Sequence, residues 1–280
     1  MTTPADPRTE PMAVLDRGFD LCEEGRMAEA LALFDIVAAS GHPDAVPLAE
    51  GCRGNVLEEL RRNDDAIAAY QRAIDSGHPD AAPRAGFNLG VLLERLHTTV
   101  PDWRSITTAY QVAIDSGHPE WKPMALVNRA ALLTRVGWRH DACDAYRLAI
   151  ATGHSEQAPI AATNLGILLA EMGLIDEAVD AYRESIALDH PDQSPKAMFN
   201  LAATLEADGR YEESAAAYQE AIDTGHLDIA PVAVIALGLV RERAAEAPEV
   251  APRHLRRLRG DVLALMPEDA RGGAPEGTHS

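Results

Sequence analysis

Apolar residues recur three and four positions apart along this chain, in short blocks separated by polar turns. The stretch from 159 to 188 shows the unit. After Pro159 come Leu165, Ile167, Leu168 and Leu169, and the block ends at Gly173. A second block, Ile175 to Leu188, places Ala178, Val179, Tyr182 and Ile186 on one face. Two helices joined by a tight turn are the expectation. Pro159 costs no hydrogen bond near a helix start, where the first N–H groups are unpaired anyway. Gly153 suits the left-handed residue that closes the preceding helix, and Pro after its equivalents stops continuation.

The same arrangement returns along the chain. Gly41-His42-Pro43, Gly77-His78-Pro79, Gly117-His118-Pro119, Gly153-His154-Ser155, Asp189-His190-Pro191 and Gly225-His226-Leu227 follow one another by 36, 40, 36, 36 and 36 residues. Pro11, Pro47, Pro83, Pro123, Pro159, Pro195 and Pro231 run in the same phase. So do the aromatics Phe34, Tyr70, Tyr110, Tyr146, Tyr182 and Tyr218. Three series sharing one interruption, around His97-Thr98-Thr99-Val100-Pro101, define a repeat protein. The acidic residue behind each His-Pro pair (Asp44, Asp80, Glu120, Asp192) is expected near the positive end of the next helix.

These residues resemble the tetratricopeptide repeat (TPR) family. Leu165-Gly166, Leu169, Gly173, Ala178 and Tyr182 fall on its signature spacing, as do Gly18, Leu21, Gly25, Ala30 and Phe34 in the first unit. Leu201, Leu205, Gly209 and Tyr218 match in the sixth, with Ala202 and Ser214 at its two small-residue sites. Ile106 stands where the third unit should have Ala, which predicts altered helix packing there. The resemblance implies an all-α, right-handed α-solenoid of six helix pairs plus C-terminal capping helices. Units are expected from 11, 47, 83, 123, 159 and 195, with a cap helix from 231, over a solenoid spanning 11–247. A terminal amphipathic helix is expected at 248–266, carrying Leu255, Leu258, Val262 and Leu265 on one face. Residues 1–10 and 267–280 are expected to be disordered.

The resemblance also assigns the first helices to a concave groove that binds an extended protein segment. The sixth residue from the phase proline is Asn88, Asn128, Asn164 and Asn200 in units three to six. Asn is a poor helix-interior residue, and a carboxamide offers a donor and an acceptor together. An asparagine ladder gripping ligand main chain is therefore the expected site, interrupted at Asp16, Cys52 and Ala236. The alternative is that these amides bond only to adjacent helices or water. Asn55, Arg84, Arg95, Lys196, Glu58, Glu94 and Glu206 are further groove candidates. The regular Lys and Arg of the members that clamp a terminal carboxylate are missing, so an internal segment is the expected ligand.

Composition narrows the function. Net charge is −19, with residues 241–280 balanced at seven Arg against seven acids, so the excess sits in the first 240. That excludes a general nucleic-acid binder and favours a basic protein partner. No catalytic motif is present, so no enzyme and no cofactor are expected. The six periodic histidines recur one per layer and cannot converge on a metal; each is expected to bond free carbonyls at a helix C-terminus. The three cysteines, Cys22, Cys52 and Cys143, form no CxxC pair and fit a reducing compartment. With no signal peptide or apolar run of spanning length, and 23 Arg against two Lys as in GC-rich bacterial coding, a bacterial cytoplasmic protein is expected. The leading function is a non-enzymatic interaction scaffold. A self-assembling structural protein and the regulatory subunit of a separately encoded enzyme are the alternatives.

Overall fold

A computed structural model describes residues 10–96 and 102–246. The expectations for the extreme N-terminus, the insertion at 97–101, the terminal helix at 248–266 and the tail at 267–280 lie outside the described residues. Within them the chain is all helical, thirteen helices and no strand. They are α1 (Pro11–Glu23), α2 (Met27–Ala38), α3 (Ala45–Glu59), α4 (Asn63–Asp75), α5 (Ala81–Leu96) and α6 (Trp103–Ser116). There follow α7 (Trp121–Arg135), α8 (Arg139–Ala151), α9 (Gln157–Glu171), α10 (Ile175–Ala187), α11 (Gln193–Ala207), α12 (Tyr211–Asp223) and α13 (Ile229–Glu246).

The chain divides into two compact units, residues 1–125 and 126–280. In the first, each even-numbered helix packs on the odd helix before it; α2 and α4 also pack on the odd helix that follows, and α1, α3 and α5 touch in sequence. The second repeats the plan: α9, α11 and α13 are neighbours, with α10 and α12 packed between them in chain order. Each pair buries its apolar face only against the pairs beside it, which is how an α-solenoid builds a core.

What closes a pair is a ring in a notch. A Cβ placed on Gly18, Gly54, Gly90 or Gly166 would lie 2.4, 2.4, 2.4 or 2.5 Å from the ring of Phe34, Tyr70, Tyr110 or Tyr182. No real Cβ tolerates that approach, so glycine is required and the ring takes its place. The sixth pair has Ala202 and Ser214 instead. There the Ser214 hydroxyl is fully buried and donates to the Ala202 carbonyl at 2.8 Å, so the extra polar atom is satisfied. The third pair keeps its Gly90–Tyr110 notch with Ile106 completely buried, and it has a second close approach. A Cβ on Gly86 would meet the Ala109 carbonyl and Val112 Cβ at 2.9 Å, so α6 approaches α5 there.

The histidines do something other than expected. In all six loops Nδ1 accepts backbone N–H groups from the residues two and three further on, at 3.1–3.4 Å. They cap the N-terminus of the next helix, not the C-terminus of the last. In five of the six loops a preceding carbonyl is already met: Ser40, Ser76, Ser116, Thr152 and Thr224 each donate a hydroxyl to the carbonyl three residues back. An accepting Nδ1 leaves the ring proton on Nε2. That nitrogen faces the acidic residue of the preceding repeat, Glu156 at 2.9 Å from His190, Asp192 at 3.4 Å from His226 and Asp80 at 3.8 Å from His118. These three loops thus tie their own helix start to the previous layer. Replacing His190 with Ala is expected to cost about 1–2 kcal/mol as a lost cap, and His190→Asn, which retains a capping oxygen, distinctly less. Urea unfolding of the two variants checks the order.

Candidate functional site

The predicted groove residues lie on the odd-numbered helices, and in the first unit they are zipped together. α3 presents Cys52, Asn55 and Glu58 along one face, and α5 presents Arg84, Asn88 and Arg95 along the face opposite. Arg84 Nη2 donates to Cys52 Sγ at 3.0 Å, Asn88 Nδ2 to Asn55 Oδ1 at 2.8 Å, and Arg95 Nη2 to Glu58 Oε1 at 2.7 Å. Tyr70, from the notch, donates to Asn55 Oδ1 at 2.7 Å and lies 3.2 Å from Glu58 Oε2. Burial, with the Glu58 carboxylate next, pushes the Tyr70 phenol well above its ordinary range, so it stays a donor. Burial likewise raises the Cys52 thiol. These bonds leave Asn55 Nδ2 and Asn88 Oδ1 outside the network, a donor and an acceptor on adjacent half-buried side chains. Glu94 accepts from Tyr110 Oη at 2.9 Å.

The second unit has a different lining. Asn128, Asn164 and Asn200 are all buried, at 7%, 9% and 3% exposure. Asn164 sits one turn from Ile160 and one from Ile167, the half-buried residues of an α9 otherwise buried up to Ala170. On α11 the corresponding trio is Lys196, Asn200 and Ala203, and on α13 it is Val232, Ala236 and Leu239. The strip is amides flanked by aliphatics, with Lys196 the cation in it. Asn200 Nδ2 is shut from solvent and has no hydrogen-bond partner among the described residues. Glu206, buried on α11, is held by Arg243 of α13 and lies 3.3 Å from Tyr218 Oη. The groove charges Arg95, Glu58 and Glu206 are therefore engaged with one another or with their neighbours. No spacing in the sequence announced this; Glu twelve and Arg thirteen residues along successive first helices was its trace.

A family model for the tetratricopeptide repeat matches residues 53–97 and 142–231, covering helices whose glycine notches and stacked pairs are described above. The chain is a tetratricopeptide repeat protein. Among solved structures it is similar to YrrB, a TPR protein with an unusual peptide-binding site, at 17% identity and a TM-score of 0.52 over 72% of this chain and 96% of that one. PilF of Pseudomonas aeruginosa aligns at 14% identity and a TM-score of 0.56, covering 77% and 92%. BtubC from P. vanneervenii aligns at 15% and 0.56, covering 86% and 95%. At these identities the likeness is one of fold. No curated protein matches the chain. Tetratricopeptide repeats are generally non-enzymatic protein-binding scaffolds, and this fold points to that role. Among the described residues no helix is long and apolar enough to cross a membrane.

Within this TPR chain the buried Glu206 gives a pH dependence with a definite sign. Burial raises its carboxyl above the usual glutamate range, and Arg243 opposes this only in part. A carboxyl raised in the folded state supports folding while protonated, and that support is lost as pH rises through the folded value. Glu206→Gln is therefore expected to stabilise the protein at neutral pH, the gain shrinking to nothing once pH falls below about 4, where free glutamate is protonated. Thermal melts of both chains from pH 3.5 to 7.5 measure it.

Proposed function

We propose that this protein is an interaction scaffold whose first helices hold an extended protein segment by its main chain, through Asn88, Asn128, Asn164 and Asn200. The observation that carries the reading is Asn200. A buried amide nitrogen without a partner costs about 1–3 kcal/mol, and the same register position is Cys52 or Ala236 elsewhere in the chain, so stability alone does not favour Asn there. Once the side chain turns outward into the groove, a ligand carbonyl would satisfy it. Asn55 Nδ2 and Asn88 Oδ1 offer the paired donor and acceptor that one ligand residue needs.

The surroundings select the side chains. Around Asn164 and Asn200 the aliphatic Ile160, Ile167 and Ala203 favour apolar ligand residues, with Lys196 beside them. In the first unit Arg84 and Arg95 are committed to Cys52 and Glu58, so they add order and not a free positive charge. The acidic excess of the whole chain steers a basic partner toward it over longer range. The site lies on helices already fixed by packing, so binding turns buried amides such as Asn200 outward and orders the ligand.

The test compares pull-downs from source lysate by the native chain and by a chain with Ala at Asn88, Asn128, Asn164 and Asn200. Circular dichroism and urea midpoints must first show both equally folded. A partner held by the native chain and released by the variant supports the groove. The same proteins held by both would make the ladder a packing device. As a companion expectation, Asn200→Ala alone should be no less stable than the native chain.

A further inference from the structure

Among the described residues α13 is a first helix without a second. Gly238 holds the register of Gly18, Gly54, Gly90 and Gly166, yet none of the described residues lies within 4 Å of a Cβ built on it, where the others meet an aromatic ring at 2.4–2.5 Å. Around it Val234, Ile235 and Leu239 are 55%, 56% and 37% exposed, three aliphatics in a row on one helix of a protein whose other exposed large apolar residues are scattered. Scattered apolar residues need no explanation; a contiguous face at a pairing position does.

We propose that residues 252–266 of this chain supply the missing second helix, seating Leu255 in the Gly238 notch. Three observations select this occupant. The first is reach: Phe34, Tyr70 and Tyr182 follow their glycines by 16 residues and Tyr110 by 20, and Leu255 follows Gly238 by 17. The second is pattern: Leu255, Leu258, Val262 and Leu265 recur at three and four, one apolar stripe, and Pro252 suits the first helical turn. The third is charge. Arg253, Arg256, Arg257 and Arg259 lie in this segment, while α12, already packed against α13, carries Glu212, Glu213, Glu220 and Asp223 and no basic residue. Gly260 and the short length make such a helix marginal alone, so the α13 face is what orders it. Tethering replaces a bimolecular search with an effective concentration in the millimolar range, the advantage over a partner in trans.

The experiment uses the full chain with Gly238→Cys and Leu255→Cys, oxidised and mapped by mass spectrometry without reduction. The native chain, whose cysteines are Cys22, Cys52 and Cys143, is the background. A 238–255 bond within one chain, in most of the protein, is the expected result. A 238–255 bond joining two chains overturns the proposal in favour of a second copy on the seat, and no such bond overturns it outright. Hydrogen exchange provides the second readout. Leu255→Asp should speed exchange of residues 234–241 at least tenfold while α3 and α4 keep their native protection; unchanged exchange in α13 overturns the assignment.

Discussion

Gly54→Val is expected to lose about 3 kcal/mol or more of stability, the upper range for overpacking a filled core. The first added carbon would stand 2.4, 2.5 and 2.8 Å from Cε1, Cδ1 and Cζ of Tyr70. That ring is 1% exposed and held by Asn55 at its hydroxyl, so it cannot withdraw without breaking the α3–α5 bonds as well. The control lies three residues earlier on the same helix. A Cβ on Gly51 meets only Arg84 Nη2 at 3.6 Å, an ordinary contact. Gly51→Ala should therefore be neutral or gain up to about 1 kcal/mol from helix propensity. Equal losses at both positions, read from urea midpoints, would show that the notch is not what closes the pair.

Tyr218→Ala should cost about 3–5 kcal/mol through the cavity it leaves. The ring is fully buried, and it packs edge-on against Phe199 at 5.2 Å between centroids. Its hydroxyl also faces Glu206, so Tyr218→Phe separates the two roles: the ring stays and a donor to a buried carboxylate goes. About 1–3 kcal/mol is the expected loss for Phe at neutral pH. The loss should fall when pH drops far enough to protonate Glu206. Because each pair leans only on its neighbours, both substitutions should loosen α11 to α13 first, and hydrogen exchange would see it there before α8.

The division between what sequence and structure each supplied follows the range of the forces. Helix existence, turn positions and pair order depend on contacts a few residues apart, and the chain states them repeatedly: Gly at nearly every left-handed turn, Pro in the first helical turn, an aromatic 16 residues after the notch glycine, or 20 in the third pair. Even the exceptions obey, with Arg61 and Asp189 adopting the positive φ of the glycines they replace. Ile106 suggested altered packing in the third pair, yet the Gly90–Tyr110 notch there matches the others and Ile106 is fully buried. The histidine series was equally visible, yet its direction was not, because a forward cap and a backward one need the same residue; the fold decided it, with Ser40 and its equivalents on the rear carbonyls in five of the six loops.

For the groove, the register of Asn88, Asn128, Asn164 and Asn200 was legible because one face of a helix is a fixed arithmetic. Which of those polar groups spend their bonding on each other was not. The Arg84–Cys52, Asn88–Asn55 and Arg95–Glu58 rungs join residues more than thirty positions apart, and only the side-by-side packing of α3 and α5 brings their ends within 3 Å. In the second unit, Asn200 Nδ2 on α11 and Gly238 on α13 meet no partner among the described residues, and no periodicity records that. Local spacing determined the helices, the pairs and the family; the tertiary structure decided which side chains are satisfied, because satisfaction depends on the neighbouring layer.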